Sequence, residues 1–396
     1  MKKFLSLLFL LFLILSLFIS CSSEDSDSTN SPVLPENLDE PLVCVFYGIN
    51  GLGDLTYNDS INSGVTKAEK EYKLLQINYS PESWDAAPSY LDYIFTEIKK
   101  RSLTSNRVLC IFADNNYLSL LEKNTLFMDN LPVTAIMFDT QESEIPAPLK
   151  DKLHSVYIPY YGASYAAGKY AEKFVAEQKK IFESYEKVPF IILPDKQNML
   201  LFEYSRSFLK GMGIQPPESV EAIKSAIDDA ENPVSTLSYF YLFLSDSSKK
   251  TSGFDMADEL YKIARLYNPF DLFSILFPLC GGSSLGLIHY ANEKSEILTF
   301  SIIGIDIDMS LLCPIDVPFS VVKHSDTIAC ELIGQWLNSK LPKSQTKTFA
   351  DGYTGITVSR LYSKLQEYSD YFPEKFCNDV KEEAAEYENE ILGKLQ

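Results

Sequence analysis

Short apolar segments alternate with longer amphipathic segments along most of this 396-residue sequence. LVCVFYG at 42–48 and RVLCIFA at 107–113 have the length and composition of buried strands, whereas APSYLDYIFTEIKKRS at 87–102 repeats apolar residues at helical spacing. Strands and helices that alternate in this way form parallel sheets, with helices connecting successive strands. The sequence therefore predicts an α/β fold.

The same alternation begins again at residue 188, in a second unit of similar size. The expected strands are 42–48, 74–80, 107–113, 133–139, 154–160, 188–195, 235–246, 272–280 and 297–308, and the expected helices are 61–72, 87–102, 115–124, 165–180, 197–212, 255–266 and 284–293. Two such units predict two doubly wound lobes. Open α/β sheets bind ligands at the carboxyl ends of their strands, so two facing lobes predict a cleft.

Polar or glycine-rich loops follow five of the predicted strands, at 48–57, 113–115, 139–140, 281–286 and 306–308. The predicted architecture brings all five to the cleft. GINGLGDLTYN lacks the glycine and lysine spacing of a phosphate-binding loop, and Asp54 would repel a phosphate. GGSSLG at 281–286 either presents backbone N–H groups to an anion or hydroxyl, or forms a tight turn. Tyr57 either stacks on a ligand or packs within the protein, and Asp59 either contacts the ligand or caps the helix.

Side chains that catalyse reactions or bind metals are not grouped in this sequence. His154, His289 and His324 are far apart, and none has a second histidine three or four residues away, as helical zinc sites have. Asp306 and Asp308 point to opposite faces if they end a strand, so they do not form a catalytic pair. We therefore expect a binding protein rather than an enzyme, with no cofactor and no metal. The formal net charge of −19 argues against a nucleic-acid partner.

The first 21 residues have the features of a bacterial lipoprotein signal peptide. Two lysines and then a charge-free apolar run precede Cys21. The run is nearly long enough to be a membrane-spanning anchor instead, but LFISC resembles the motif at which the cysteine becomes the lipidated N-terminus. The acidic segment 22–41 then predicts a disordered tether, whose first acidic residues are either a surface-export signal or a plain linker. We expect a lipid-anchored protein of the bacterial cell envelope, for which the outer membrane and the cell surface are the candidate locations.

Six further cysteines follow Cys21, and none are paired at the CxxC spacing of zinc and redox motifs. Cys44, Cys110 and Cys280 lie within strand-like apolar runs, so we expect buried free thiols there. An exported protein permits disulfides, and the sequence does not indicate which cysteines meet.

Five segments resemble, in order, those of the basic membrane protein family, which includes the purine nucleoside receptor lipoproteins. They are GLGDLTYNDSINSGVTKAEKEY at 51–72, SYAAGKYAEKF at 164–174, PLCGGSSLGLIHYANEK at 278–294, IIGIDIDMS at 302–310 and VPFSVVKHSD at 317–326. The resemblance implies a type I periplasmic-binding-protein fold, in which a three-strand hinge crosses near residues 160, 323 and 352. The implied domains are 42–160 plus 324–350 for lobe I, and 161–323 plus 351–396 for lobe II.

The resemblance also implies a monomeric, lipid-anchored solute-binding protein that serves an ABC permease and binds a purine nucleoside. The ligand-binding residues carried over by position are Tyr57, Asn58, Asp114, Tyr204, Gly282, Asp306 and Lys323. Gly48 stands where the family has an acidic residue that recognises the purine base, so the identity of the ligand stays open. Two other functions also stay open. One is a surface lipoprotein that binds a host or matrix partner, and the other is a ligand-sensing regulator.

Overall fold

The computed structural model of the protein describes residues 34, 39–101, 103–181, 188–223, 238–245, 253–267, 275–294, 300–365 and 370–395. The expected signal peptide, Cys21 and most of the expected tether lie outside these residues. Among the described helices, none combines the length and the apolarity needed to cross a bilayer. Leu34 is buried against the first sheet, and its carbonyl oxygen accepts a hydrogen bond from Arg101. The compact chain therefore begins within the segment expected to be a tether, because Leu34 is an apolar residue that the core can bury.

Thirteen strands and eleven helices are described. The strands are β1 Leu42–Phe46, β2 Leu75–Tyr79, β3 Val108–Phe112, β4 Thr134–Phe138, β5 Leu153–Tyr157, β6 Pro189–Leu193, β7 Phe240–Phe243, β8 Ile275–Pro278, β9 Ser301–Ile302, β10 Gly304–Asp306, β11 Phe319–Lys323, β12 Ser344–Thr346 and β13 Thr354–Val358. The helices are α1 Tyr57–Tyr72, α2 Ala87–Lys100, α3 Asn116–Lys123, α4 Thr125–Met128, α5 Tyr161–Ile181, α6 Met199–Gly211, α7 Ala257–Tyr267, α8 Leu285–Glu293, α9 Ser325–Leu337, α10 Arg360–Lys364 and α11 Glu374–Leu395.

The first sheet has six parallel strands in the order β2–β1–β3–β4–β5–β12. Side chains of a strand alternate between the two faces of a sheet, and β1 shows this clearly. Cys44 and Phe46 pack with residues of α2, α3 and α4, whereas Val43 and Val45 pack with residues of α1 and α9. Helices therefore cover both faces, which is the doubly wound arrangement that the sequence predicts.

The other strands form two smaller sheets, one parallel in the order β7–β6–β8–β9 and one in the order β10–β11–β13, where β13 is antiparallel to β11. Only Ile303 separates β9 from β10. A single apolar cluster joins both sheets to α5, α6, α7, α8 and α11. We call the part built on the first sheet lobe I, and the part built on these two sheets lobe II.

The chain passes between the lobes three times: at 158–160 after β5, at His324 after β11, and at 347–353 between β12 and β13. These are the three crossings expected of the hinge. Glu388 of α11 connects the third crossing to the start of α5, just after the first crossing, because its carboxylate accepts hydrogen bonds from the N–H of Gly162 (2.9 Å) and of Phe349 (2.7 Å). The C-terminal helix is therefore tied to the hinge.

Glycine permits the close crossing of α5 and α6. A Cβ at Gly168 would lie 2.1 Å from the carbonyl oxygen of Phe208, and a Cβ at Gly211 would lie 2.1 Å from that of Tyr165. These distances are far shorter than a van der Waals contact, so a larger residue would force the two helices apart.

Several elements differ from the sequence-based expectations: α5 begins at Tyr161 rather than at residue 165, and β11–β13 and α9–α11 lie beyond the last predicted strand. The strand expected at 297–308 is two short strands, β9 and β10, and α1 begins at Tyr57 rather than at residue 61. The six cysteines after Cys21 are free, and Cys44, Cys110 and Cys280 are buried as expected. Cys44 and Cys110 are direct neighbours in the register of β1 and β3, which the sequence alone did not indicate.

Candidate ligand-binding cleft

A cavity of about 830 Å³ lies between the two lobes. Each of the five strand-end loops singled out in the sequence contributes to its wall, as represented by Gly48, Asp114, Asp139, Gly281 and Asp306. The seven residues carried over from the resemblance all line it as well. The structure thus brings the whole candidate set together, and the role of each residue toward a ligand remains a prediction.

The loop between β1 and α1 supplies its own anion to the start of the helix. The carboxylate of Asp54 accepts hydrogen bonds from the backbone N–H groups of Thr56 (2.9 Å), Asn58 (3.1 Å) and Asp59 (3.2 Å). Asp59, for which a helix cap was one of two interpretations, accepts two N–H groups from the loop itself, both at 2.8 Å. A helix N-terminus attracts anions through its free N–H groups. Asp54 therefore occupies the position that a bound phosphate would need.

Lys323, at the end of β11, is an internal cation of the cleft. Its Nζ lies 2.5 Å from Oδ2 of Asp139, and 5.5 Å and 4.6 Å from the ring centroids of Tyr57 and Tyr160. Aromatic faces attract cations, so the ammonium is held by one carboxylate and two rings. The ring of Tyr57 also meets Phe138 edge-on, with 6.2 Å between centroids. Tyr57 therefore packs within the protein and lines the cavity at the same time.

Asp139 and Asp306, one in each lobe, have left-handed backbone conformations, with φ values of 53° and 64°. This region is uncommon for residues other than glycine, and it occurs often at binding sites. Oδ1 of Asp139 accepts the N–H of Ile158 (3.1 Å), and Oδ1 of Asp306 accepts the hydroxyl of Tyr160 (3.1 Å). Burial raises the pKa of Asp306, while the charge of Lys323 and the bond from Tyr160 oppose the rise.

Asp114 enters the cavity wall beside Gly48. Its Oδ2 lies 2.7 Å from the position that a Cβ at residue 48 would take, so a larger residue there would displace the carboxylate. Its Oδ1 accepts hydrogen bonds from the backbone N–H (2.8 Å) and the side-chain amide (2.9 Å) of Asn116. Burial raises the pKa of Asp114, and these two hydrogen bonds oppose the rise. The end of β1 lacks an acid, and the loop after β3 places one beside it.

Tyr204 and Asn58 have partners within the protein. The hydroxyl of Tyr204 lies 3.3 Å from that of Tyr157, and its ring meets Tyr161 edge-on at 4.9 Å. The side-chain amide of Asn58 donates to the carbonyl of Gly51 (2.8 Å). Asn58 therefore stabilises the loop in addition to lining the cavity, a role that the resemblance did not imply.

The Gly281–Ser284 segment, which contains Gly282, forms a single 3₁₀ turn. The hydroxyl of Ser283 bonds to the backbone of the neighbouring 253–256 segment at 2.8 Å, both as donor and as acceptor. Ser284 is buried, and its hydroxyl donates to the first carbonyl of the turn (2.6 Å). Although GSSLG at 282–286 has the spacing of a hydrolase nucleophile motif, this hydroxyl is engaged by the backbone. The segment is therefore a tight turn, and the presentation of its N–H groups to a ligand stays a prediction.

The two lobes contact each other at the first loop. The side-chain amide of Asn50 donates to the carbonyl of Phe254 in lobe II (3.1 Å). Asp54 approaches Gly282 closely enough that a Cβ on this glycine would lie 3.6 Å from the Cβ of Asp54. The lobes are therefore closed on each other here.

No protein-family model and no curated protein matches this sequence. Solved structures share its fold. A solute-binding protein of an ABC transporter system from Aeropyrum pernix K1 is 14% identical, with a TM-score of 0.60 over 88% of this chain and 86% of the other. A transcriptional activator of the comK gene from Bacillus halodurans is 13% identical, with a TM-score of 0.54 over 87% and 97%. An ABC transporter solute-binding protein from Burkholderia graminis C4D1M, in complex with D-arabinose, is 10% identical, with a TM-score of 0.51 over 84% and 99%.

The fold is that of a type I periplasmic-binding protein. The cleft of this type I fold also contains residues that sequence reasoning missed, namely Thr56, Trp84 and Tyr160. Tyr160 is the last residue of a predicted strand and was expected only as part of the hinge. Thr56 belongs to the loop predicted at 48–57 but was not singled out there, and Trp84 carries no sequence signal, because its place in the cavity depends on how its loop folds. Among the described residues, no group of three His, Cys, Asp or Glu side chains is placed to hold a metal ion.

Proposed function

We propose that this protein is a solute-binding protein that encloses a small molecule between its lobes. The observation that carries this proposal is the cavity of about 830 Å³, formed by strand-end loops of both lobes and lined by aromatic rings and carboxylates. Ligand pockets in proteins commonly have volumes of about 300–1,000 Å³. A cavity of this size favours solute binding over a surface protein whose cleft is filled.

A nucleoside is the ligand that we propose to test first. Tyr57 and Trp84 line the cavity and offer aromatic faces for a base, and Asp114 and Asp306 offer acceptors for sugar hydroxyls. The ribose of a nucleoside is a five-carbon sugar with several hydroxyls, as is the D-arabinose bound by the Burkholderia graminis protein. The aromatic wall and the acceptors together suit a ligand with one flat part and one hydroxylated part.

We further propose that Cys21 carries a lipid anchor, and that the protein delivers its ligand to an ABC permease. The N-terminal motif supports the anchor. The ABC transporter proteins among the structural neighbours support the transport role. A ligand-sensing regulator is the second candidate, since the comK activator from Bacillus halodurans shares the fold. Membrane fractionation of Cys21→Ala cells tests the anchor, and substrate uptake by cells that lack the protein separates transport from sensing.

Isothermal titration of the mature protein with purine nucleosides, pyrimidine nucleosides and pentoses tests the ligand. We expect at least one nucleoside to bind, and Tyr57→Ala to weaken its binding by more than about tenfold if the ring stacks on the base. Ser63→Ala, at an exposed position on the same helix, is the matched control. Binding of another solute but of no nucleoside would refute the nucleoside assignment. Failure of every solute to bind would refute the solute-binding function.

A further inference from the structure

Four aromatic side chains that carry a polar group line the cavity, namely those of Tyr57, Trp84, Tyr160 and Tyr204. A tyrosine hydroxyl can donate and accept a hydrogen bond, and the indole N–H of tryptophan donates one. When such side chains are buried, their polar ends usually find a partner within the protein. The partner of each group therefore shows whether it is still available to a ligand.

The hydroxyl groups of Tyr160 and Tyr204 have partners within the protein. The hydroxyl of Tyr160 donates to Oδ1 of Asp306 (3.1 Å), and that of Tyr204 lies 3.3 Å from the hydroxyl of Tyr157. Both residues are buried. These two side chains therefore contribute ring surface to the cavity wall, while their polar ends are occupied.

The ring of Tyr57 is fixed, but its hydroxyl is not used. The ammonium of Lys323 lies 5.5 Å from the ring centroid, and Phe138 meets the ring edge-on. The hydroxyl forms no hydrogen bond with any described residue, and the side chain is partly exposed. Unlike Oγ1 of Thr56, this oxygen is not fully shielded by the protein. The polar end of Tyr57 is therefore available at the cavity wall.

Trp84, between β2 and α2, has the same combination of a fixed ring and an unused polar end. Its ring meets Tyr117 edge-on, with 5.3 Å between centroids, and the hydroxyl of the buried Tyr117 donates to the carbonyl of Tyr47 (2.8 Å). The indole N–H of Trp84 donates to no described residue, and the side chain is partly exposed. The second tryptophan of the chain differs, because the indole of the buried Trp336 donates to the carbonyl of Ser105 (3.2 Å).

We propose that Tyr57 and Trp84 bind the ligand through their polar ends, with the indole N–H of Trp84 donating to an acceptor of the ligand and the hydroxyl of Tyr57 bonding to a second polar group. The inference rests on the proposed solute-binding function and specifies how lobe I recognises the ligand. A donor at a cavity wall loses its bond to water when a ligand without an acceptor covers it. Among ligands of one shape, the cleft therefore selects those with an acceptor at Trp84, such as a ring nitrogen or carbonyl oxygen of a nucleobase.

Titration calorimetry of the mature protein with purine nucleosides, pyrimidine nucleosides and pentoses tests these two hydrogen bonds. Tyr57→Phe keeps the ring and removes only the hydroxyl, and Trp84→Phe keeps an aromatic ring without the N–H. For the probe that binds tightest, each substitution should weaken binding by about three- to tenfold, as expected for the loss of one neutral hydrogen bond. Tyr93→Phe, at an exposed position of α2 outside the cavity wall, and Trp336→Phe are the matched controls and should leave the affinity unchanged.

Nuclear magnetic resonance of protein with isotope-labelled tryptophan follows the indole N–H groups directly. The chain has two tryptophans, so the spectrum contains two indole signals, which either Trp84→Phe or Trp336→Phe assigns. When the tightest probe saturates the protein, the proton signal of Trp84 should move downfield and exchange with water at least about tenfold more slowly. The signal of Trp336 should not respond. This readout separates the N–H group from the ring that carries it.

An unchanged affinity in Tyr57→Phe or in Trp84→Phe would overturn this inference and leave solute binding in place. So would an indole signal of Trp84 that does not respond to a bound probe. If no probe binds the wild-type protein, the proposed function fails, and the inference fails with it. The spectra of the wild type decide the matter if a cavity variant does not fold.

Discussion

Replacing Glu388 by glutamine should remove a pH dependence from the stability of this protein. Glu388 is 1% exposed, and its carboxylate accepts the N–H groups of Gly162, just after one hinge crossing, and of Phe349, within another. Burial raises its pKa from 4.5 to about 7; the two hydrogen bonds oppose the rise, and the charge of Asp351 adds to it. Between pH 4.5 and about 7, the native protein therefore keeps a proton on Glu388 that the unfolded chain has already released.

The sign and size of the effect follow from this difference in proton binding. Stability from this group is fully present below pH 4.5 and is lost as the pH rises toward 7, because the native state must then bury a charge. At about 1.36 kcal/mol per pKa unit, the whole shift lowers the free energy of unfolding by about 3.4 kcal/mol. Roughly 2 kcal/mol of this falls between pH 5.5 and 7.5.

Urea unfolding at pH 5.5, 6.5 and 7.5 measures the effect. At pH 5.5, Glu388→Gln should have a free energy of unfolding about 1 kcal/mol lower than that of the wild type, since an amide oxygen replaces only one of two acceptors. Between pH 5.5 and 7.5, the free energy of unfolding of the wild type should fall by roughly 2 kcal/mol more than that of the variant. Glu383→Gln on the same helix is the control, because Glu383 is 49% exposed and pairs with Lys169 at the surface. Wild type and Glu388→Gln losing stability in parallel with pH would refute the reasoning.

Three further predictions concern packing, charge and closure. Gly168→Ala should lower the free energy of unfolding, measured in urea, by about 1–3 kcal/mol, because the new Cβ would lie 2.1 Å from a carbonyl oxygen of α6. Gly393→Ala is the control and should not lower this free energy, because Gly393 has open space around it. Lys323→Met should lower the free energy of unfolding by about 3 kcal/mol, because it leaves Asp139 without its cation. Adding Asp139→Asn should restore most of this loss, and a double variant as unstable as the single one would contradict the pairing. Asn50→Ala should speed ligand release in stopped-flow measurements, because it removes a hydrogen bond between the lobes, and an unchanged release rate would show that this contact does not hold them closed.

The sequence alone determined the fold class and the set of loops that meet at the cleft. Strand and helix periodicities are local properties, and parallel strands place all their carboxyl ends at one edge. The five predicted loops and the seven candidate residues consequently line one cavity. The sequence also argued against a phosphate at the loop 48–57, because this loop contains Asp54, whose carboxylate accepts the backbone N–H groups at the start of α1.

The tertiary structure decided which of these side chains remain available to a ligand. The pairing of Lys323 with Asp139 joins residues 184 positions apart, and Asp114 lies beside Gly48 only because β1 and β3 are neighbours. Which backbone N–H groups Asp54 and Asp59 accept depends on the path of one loop. Such contacts depend on how distant segments pack and on how far burial removes water from each charge, and neither quantity is encoded in the spacing of residues along the chain.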